Sequence, residues 1–314
     1  MTRAQRAEDP GIGTNFERPL DRVMARDGKF LVDRIGQISG FREGFVALAT
    51  MPLWRLVLTF VVGYLAMNLI FGSLYMLIGM EQLGNADMTS LSSRWMSAMG
   101  MSVQTLTTVG YGSLFPNSPA TWALAAVEGV FGILGFSLIS AVIYARFARP
   151  TTRIAYSDKA LIAPFKEGWS LQMRLANRRT TLLMEMEARM MLVMADVDDQ
   201  GERLNYYNLK LQFDKVSFLP LSWTLVHPIT AESPLAGTSY EDLVQRRAEV
   251  ILVLKGIDEG YMQQVITRHS FRFDEIAWGA RYVRAFSSKN GSMRLDLNKL
   301  SDFTSVDIPE RLPT

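Results

Sequence analysis

Two long apolar runs interrupt an otherwise mixed chain of 314 residues. Residues 53–77 read LWRLVLTFVVGYLAMNLIFGSLYML, broken only by Arg55 near the start and Asn68 near the centre. Residues 121–144 read TWALAAVEGVFGILGFSLISAVIY, with Glu128 as the only charge. Each is long enough for a bilayer-crossing helix, which takes roughly 20 residues. The pattern predicts an outer helix over 53–77 and an inner helix over 121–147, within a membrane domain over 41–150. Ahead of the first run, residues 41–51 place Phe41, Phe45 and Leu48 at i, i+4 and i+7 and stop at Pro52. They read either as an amphipathic helix lying in the interface or as the first turns of the span. Residues 1–40 are polar, with charges of both signs and scattered glycines, and predict an extended or loosely ordered arm.

After Pro150 the pattern becomes short apolar or alternating segments separated by Gly, Pro, Asn and Asp. Candidate strands cover 160–165, 170–176, 184–196, 206–213, 222–227, 248–254, 264–273 and 277–286, with one short helix over 240–247. Roughly eight strands at this spacing predict a β-sandwich over residues 151–314. Asp199-Gln200-Gly201 and Lys289-Asn290-Gly291 supply turn chemistry. The fold class expected is therefore a two-span α-helical pore domain joined to an all-β sandwich.

Charge adds topology. Between the runs the only basic residue is Arg94, whereas Arg42, Arg55, Arg146, Arg149 and Arg153 crowd the outer flanks. The positive-inside rule then puts both termini in the cytoplasm. About fifty residues precede the first run and no cleavage signal follows it, so it is not expected to be a removed secretory signal. A net charge of +2 gives no reason to expect a nucleic-acid partner. The chain has no cysteine, which excludes disulfides and cysteine-ligated metals.

The segment between the runs carries the chemistry. Residues 92–105 suit a helix of about 21 Å, enough to dip partway into a bilayer and no further. It leads into Thr108-Val109-Gly110-Tyr111-Gly112. A potassium ion leaves water only where oxygens replace its hydration shell, here the carbonyls of Thr108, Val109, Gly110 and Tyr111 and the Thr108 hydroxyl. Glycine at 110 and 112 eases the backbone this requires. Such a filter works only as four copies round one axis, so a homotetramer of this chain with three identical partners is expected. A dinucleotide fingerprint starting at Gly110 fails, because Phe115 stands where the third glycine belongs.

With these motifs in view, the chain resembles prokaryotic inward-rectifier potassium channels over most of residues 25–303. The resemblance rests on Ser102-Val103-Gln104-Thr105, the TVGYG segment and Ala145-Arg146-Phe147-Ala148-Arg149-Pro150. Further along it rests on Arg174-Leu175-Ala176-Asn177, His227-Pro228-Ile229, Ser233-Pro234-Leu235 and Asp274-Glu275-Ile276-Ala277-Trp278-Gly279. It implies an immunoglobulin-like cytoplasmic sandwich, a bacterial inner membrane, potassium as permeant ion and no cofactor. It also implies a gate at Tyr144, against which stands an interfacial tyrosine facing lipid. A second constriction is implied at Tyr261 and Met262, in a segment that otherwise reads as a strand-connecting loop.

The resemblance places Phe136 at a pore-facing position that is acidic in strongly rectifying relatives, so weak block by polyamines or magnesium is expected. Glu185 and Glu259 match acids lining the cytoplasmic pore; ordinary solvated acids are the alternative. Trp54, Arg55, Arg146, Arg149 and Arg153 suit either an anionic-lipid site, of phosphoinositide or another lipid, or simple topology anchoring. Gly132 and Gly135 suit helix bending or close packing. Glu128 needs a partner near the pore helix, with Arg94 and Gln104 the candidates. His227 and His269 lack metal-ligand spacing, and no nucleophile, phosphate loop or metal constellation suggests an enzyme.

Overall fold

The computed structural model describes residues 6–16, 22–33, 35, 40–148, 153–198, 201–289, 291–308 and 310–312. The chain divides into a helical unit, residues 36–149, and a β-rich unit from residues 1–35 and 150–314. The helices are α1 (Phe41–Thr50), α2 (Leu53–Ile78), α3 (Leu91–Leu106), α4 (Pro119–Phe147) and α5 (Tyr240–Gln245). The strands are β1 (Asn15–Phe16), β2 (Leu83–Gly84), β3 (Phe115–Pro116), β4 (Ile154–Tyr156), β5 (Ala160–Phe165) and β6 (Gly168–Asn177). Then follow β7 (Leu183–Asp198), β8 (Gly201–Leu209), β9 (Lys215–Phe218), β10 (Ser222–Ile229), β11 (Glu249–Asp258) and β12 (Gln263–Arg272). The last are β13 (Ile276–Trp278), β14 (Ala280–Tyr282), β15 (Phe286–Lys289), β16 (Ser292–Leu295) and β17 (Phe303–Ser305).

In the helical unit, Pro52 separates α1 from α2. The residue before a proline is pushed out of the helical region, and Met51 accordingly has ψ 159°. α4 opens on a capping box in which Ser118 and Thr121 bond each other's backbone, with Pro119 in the first turn. That cap starts the helix two residues before the apolar run. α2 and α4 are apolar on all sides, yet only 22% and 17% of their most apolar stretches are buried. A soluble core helix would be mostly buried, so these faces suit lipid or other helices. α3 packs against both α2 and α4, and α1 packs against α4.

The β-rich unit is a sandwich of two sheets. One runs β1-β8-β7-β11-β12 with β9 on β7, and the other β10-β6-β5-β13 with β4 on β6. Alternate residues build the core: Met190, Leu192 and Met194 of β7 and Val250, Leu252 and Leu254 of β11 meet Leu171, Met173 and Leu175 of β6. The predicted strand 277–286 is interrupted. Gly279 adopts φ 71°, and a Cβ there would lie 2.5 Å from the Val306 carbonyl oxygen, so the chain turns between β13 and β14. Of the predicted turns, Asp199, Gln200 and Asn290 lie outside the described residues.

Two stretches of the arm, 6–16 and 22–30, are built into the sandwich, whereas Leu31, Val32 and Ile35 are exposed. β1 pairs with β8, and Ala7 N–H donates to the Tyr206 carbonyl at 2.8 Å. Met24 is buried with Val193, Ala195, Tyr206 and Ile251, the opposite face of β7, β8 and β11 from the main core. Arg22 fastens it: its guanidinium donates to the Met24 carbonyl at 2.6 Å, the Ser270 hydroxyl at 2.8 Å and Glu275 Oε2 at 3.0 Å.

Candidate functional site

α3 is capped by Ser90, whose hydroxyl accepts from Ser93 N–H at 3.1 Å, and the helix ends at Leu106. The chain then folds back onto the helix end. The Gln104 carbonyl accepts from both Val109 N–H at 3.0 Å and Gly110 N–H at 3.2 Å, and the Thr105 carbonyl from Thr108 N–H at 3.0 Å. Thr108, Gly110 and Gly112 have φ of 60°, 60° and 77°, while Val109 and Tyr111 between them do not enter the left-handed region. Val109 and Tyr111 are exposed. Beyond the segment, Gln104 Nε2 donates to the Leu114 carbonyl at 2.6 Å and Asn85 Nδ2 to the Ser113 carbonyl at 3.1 Å. The β2–β3 pairing, Leu83 with Pro116 and Gly84 with Phe115, closes the return to α4.

Behind this segment lies a buried polar cluster. Glu128, 0% exposed, accepts from the Tyr75 hydroxyl at 2.9 Å and bonds the Ser102 hydroxyl, which also lies 3.1 Å from Asn68 Oδ1. Its partners are therefore Tyr75 of α2 and Ser102 of α3, not Arg94, which is exposed, nor Gln104, which is spent on Leu114. One turn further along α4, Gly132 touches the end of α3: a Cβ there would sit 2.3 Å from the Leu106 carbonyl oxygen. Gly135 has open space around its Cα. A groove of about 530 Å³ between α2 and α4 reaches Thr107 and Thr108 and is lined by Tyr64, Phe131 and Phe136.

Other predicted residues of this unit are spread along the helices. Phe136 and Tyr144 are exposed on α4, Tyr144 in its last turns. Trp54 and Arg55 open α2, with the Arg55 guanidinium 5.1 Å from the indole centre. Arg146 donates to the Met51 carbonyl at 2.6 Å, tying the end of α4 to the α1–α2 junction. Arg149 lies outside the described residues.

In the β-rich unit, Glu185 sits in a bulge of β7 opposite Gly256, with φ 47°, and its side chain is exposed. Glu259, Tyr261 and Met262 form the exposed turn between β11 and β12, and Met262 has φ 49°. Asp258 below them is fully buried and accepts from Gly260 N–H at 2.9 Å. Arg153 is exposed just before β4. His227 bridges the Lys210 carbonyl at 2.7 Å and the Ser233 hydroxyl at 2.8 Å, and burial holds its imidazole below the ordinary range. His269 stacks on Tyr156 with ring centres 4.1 Å apart. Burial, then the cations of Arg26 and Arg22, push it down to about 4.

Comparison with known proteins decides the family. Residues 154–312 match the inward rectifier potassium channel C-terminal domain, and residues 56–149 match an ion channel domain. The inward rectifier potassium channel Kirbac3.1 of Paramagnetospirillum magnetotacticum is 32% identical over 90% of this chain and 95% of its own. The chain belongs to the inward rectifier potassium channel family. Its relatives include the human ATP-sensitive inward rectifier potassium channel 12, 27% identical over 77% of this chain and 60% of that one. The mouse channel 15 is 28% identical over 92% of this chain and 83% of that one. The solved structure of Spo0M, a sporulation control protein from Bacillus subtilis, aligns with a TM-score of 0.22 at 13% identity over 41% of this chain and 50% of that one. That likeness is too loose to bear on the fold. The family is one of ion channels, not enzymes.

For a channel of this family, the sequence reading missed the second attachment of the TVGYG segment. The Gln104 carbonyl holds the segment itself, while the Gln104 and Asn85 side chains hold Leu114 and Ser113 just after it. Asn68 and Glu128 stand out as polar residues inside the two apolar runs.

Proposed function

We propose that four copies of this chain form a pore through which potassium passes selectively, with Thr108, Val109, Gly110, Tyr111 and Gly112 as the filter. The observation that carries the reading is the backbone of this segment, left-handed at 108, 110 and 112 and hung from the carbonyl end of α3. Alternating left-handed and other conformations turns successive carbonyls toward one side, which is what replacing a hydration shell demands. The helix end adds negative partial charge where a cation would rest. Exposed Val109, Tyr111, Phe136 and Tyr144 then find neighbours in the other three subunits or line the pore.

Tyr144 closes the membrane pore and the turn at Tyr261 and Met262 narrows the cytoplasmic one, where Glu185 and Glu259 concentrate cations. Phe136 supplies no charge, so polyamines and magnesium block weakly. Trp54, Arg55, Arg149 and Arg153 attract anionic headgroups such as phosphoinositides, with Arg146 partly committed to Met51. The channel sits in a bacterial inner membrane with both termini cytoplasmic. Purified protein in liposomes should show barium-sensitive flux of potassium in preference to sodium, and Tyr144→Ala should raise its resting level. Equal sodium and potassium flux, or none across neutral and anionic lipid mixtures, would refute the reading.

A further inference from the structure

We propose that Glu128 is a positioning residue for ion selection: through Ser102 it fixes the last turn of α3, from which the filter hangs. The inference rests on the filter reading above. A carboxyl group inside a membrane span is costly, so it is retained where it does something an apolar side chain cannot. Here it bonds α2 through Tyr75 and α3 through Ser102. A tie between α2 and α4 alone would need no reach into α3.

Two contacts join α4 to α3 at matching intervals. Glu128 meets Ser102, and four residues later on each helix Gly132 meets Leu106. Residues four apart lie on one helix face, so the last turn of α3 is held at both ends by one face of α4. Between these ends lie Gln104 and Thr105, whose carbonyls accept from Val109, Gly110 and Thr108. Releasing Ser102 frees one end of that turn. The filter amides then follow the Gln104 carbonyl, and displacement by a fraction of an ångström changes how well carbonyl oxygens fit potassium relative to sodium. Asn68 completes the cluster, its Nδ2 bonded to the Tyr64 carbonyl at 2.8 Å and its Oδ1 facing Ser102.

The test measures the potassium-to-sodium permeability ratio of full-length protein in liposomes for Glu128→Gln, Glu128→Leu and Ser102→Ala. Glu128→Leu and Ser102→Ala should each lower the ratio about fivefold, the effect of losing roughly one hydrogen bond. Combined, they should lower it no further than the larger single effect, because they cut one link. Glu128→Gln, whose amide can still accept and donate, should stay within about twofold of wild type. A group that merely stabilised the helices would change the yield of folded protein and leave the ratio alone. If wild type itself does not prefer potassium, the filter reading fails. If wild type is selective and Ser102→Ala keeps its ratio, the positioning role is overturned, whether or not Glu128→Leu folds.

Discussion

Adding one carbon at Gly132 should damage this channel, while the same change three residues later should not. An alanine Cβ at 132 would lie 2.3 Å from the Leu106 carbonyl oxygen, 3.1 Å from its carbon and 3.3 Å from its Cα. All three are backbone atoms, so no side chain can rotate away. Reaching ordinary contact requires α4 and the end of α3 to separate by about 1 Å, a displacement a close-packed interior resists. Overpacking of this kind costs about 1–3 kcal/mol, against which the better helix propensity of alanine returns at most about 1 kcal/mol. Gly135 has nothing within 4 Å of its would-be Cβ, so Gly135→Ala keeps the propensity gain. Unfolding of the purified protein in detergent, followed by tryptophan fluorescence, should show Gly132→Ala destabilised relative to Gly135→Ala by about 1–3 kcal/mol. Because Leu106 stands two residues before Thr108, the potassium-to-sodium ratio should fall in the same variant. Equal stability of the two variants, with equal selectivity, would refute the close-packing account.

Two further predictions concern the β-rich unit. Arg22→Ala removes bonds to the Met24 carbonyl, Ser270 and Glu275 and leaves the buried Glu249 carboxyl, already raised by burial, without its nearby cation. It should cost about 2–3 kcal/mol and expose the arm to proteolysis, and an unchanged cleavage pattern would count against the clamp. His269 is held down to about 4 when folded and titrates near 6.5 when unfolded. The unfolded chain therefore binds the extra proton between these values. Stability is intact above pH 6.5 and declines by up to about 3 kcal/mol as pH falls toward 4. His269→Phe should flatten part of that decline in urea midpoints, and an identical pH profile would sink the assignment.

What the sequence disclosed and what it hid follow from the range of the interactions. The spans, the TVGYG segment and most strands are written locally, as unbroken apolar runs, a five-residue motif and burial that alternates every second residue. The partners of Glu128 are not, because Tyr75 is 53 residues away and Ser102 26, and no period tells which faces of three helices converge. The expected partners near the pore helix were Arg94 and Gln104, and the Gln104 side chain instead bonds Leu114. The arm was hidden for a related reason. Val193, Ala195 and Ile251 alternate with core residues on strands that look merely apolar, and only the folded sheet shows that its second face needs the cover Met24 gives it. The break at Gly279 depends on the approach of Val306, which no reading of 277–286 alone reveals.

Half of the non-glycine backbone strain among the described residues falls on segments read as functional. Among the described residues, the non-glycine positions with positive φ are Asn85, Thr108, Lys166, Glu185, Arg247 and Met262. Three of these belong to the proposed filter, acidic lining and cytoplasmic constriction. A left-handed non-glycine residue costs about 1–2 kcal/mol, and most for a β-branched one such as threonine. At 110 and 112 the chain avoids that cost with glycine. At 108, φ is also 60°, and glycine would relieve the strain there just as well. A side chain is worth that strain only where it supplies something the backbone does not. On the proposed reading this is the hydroxyl oxygen, which closes the innermost cation position where the carbonyls run out. On that reading ion contact offsets the strain at 108, whereas at 110 and 112 the carbonyl alone serves and glycine is sufficient.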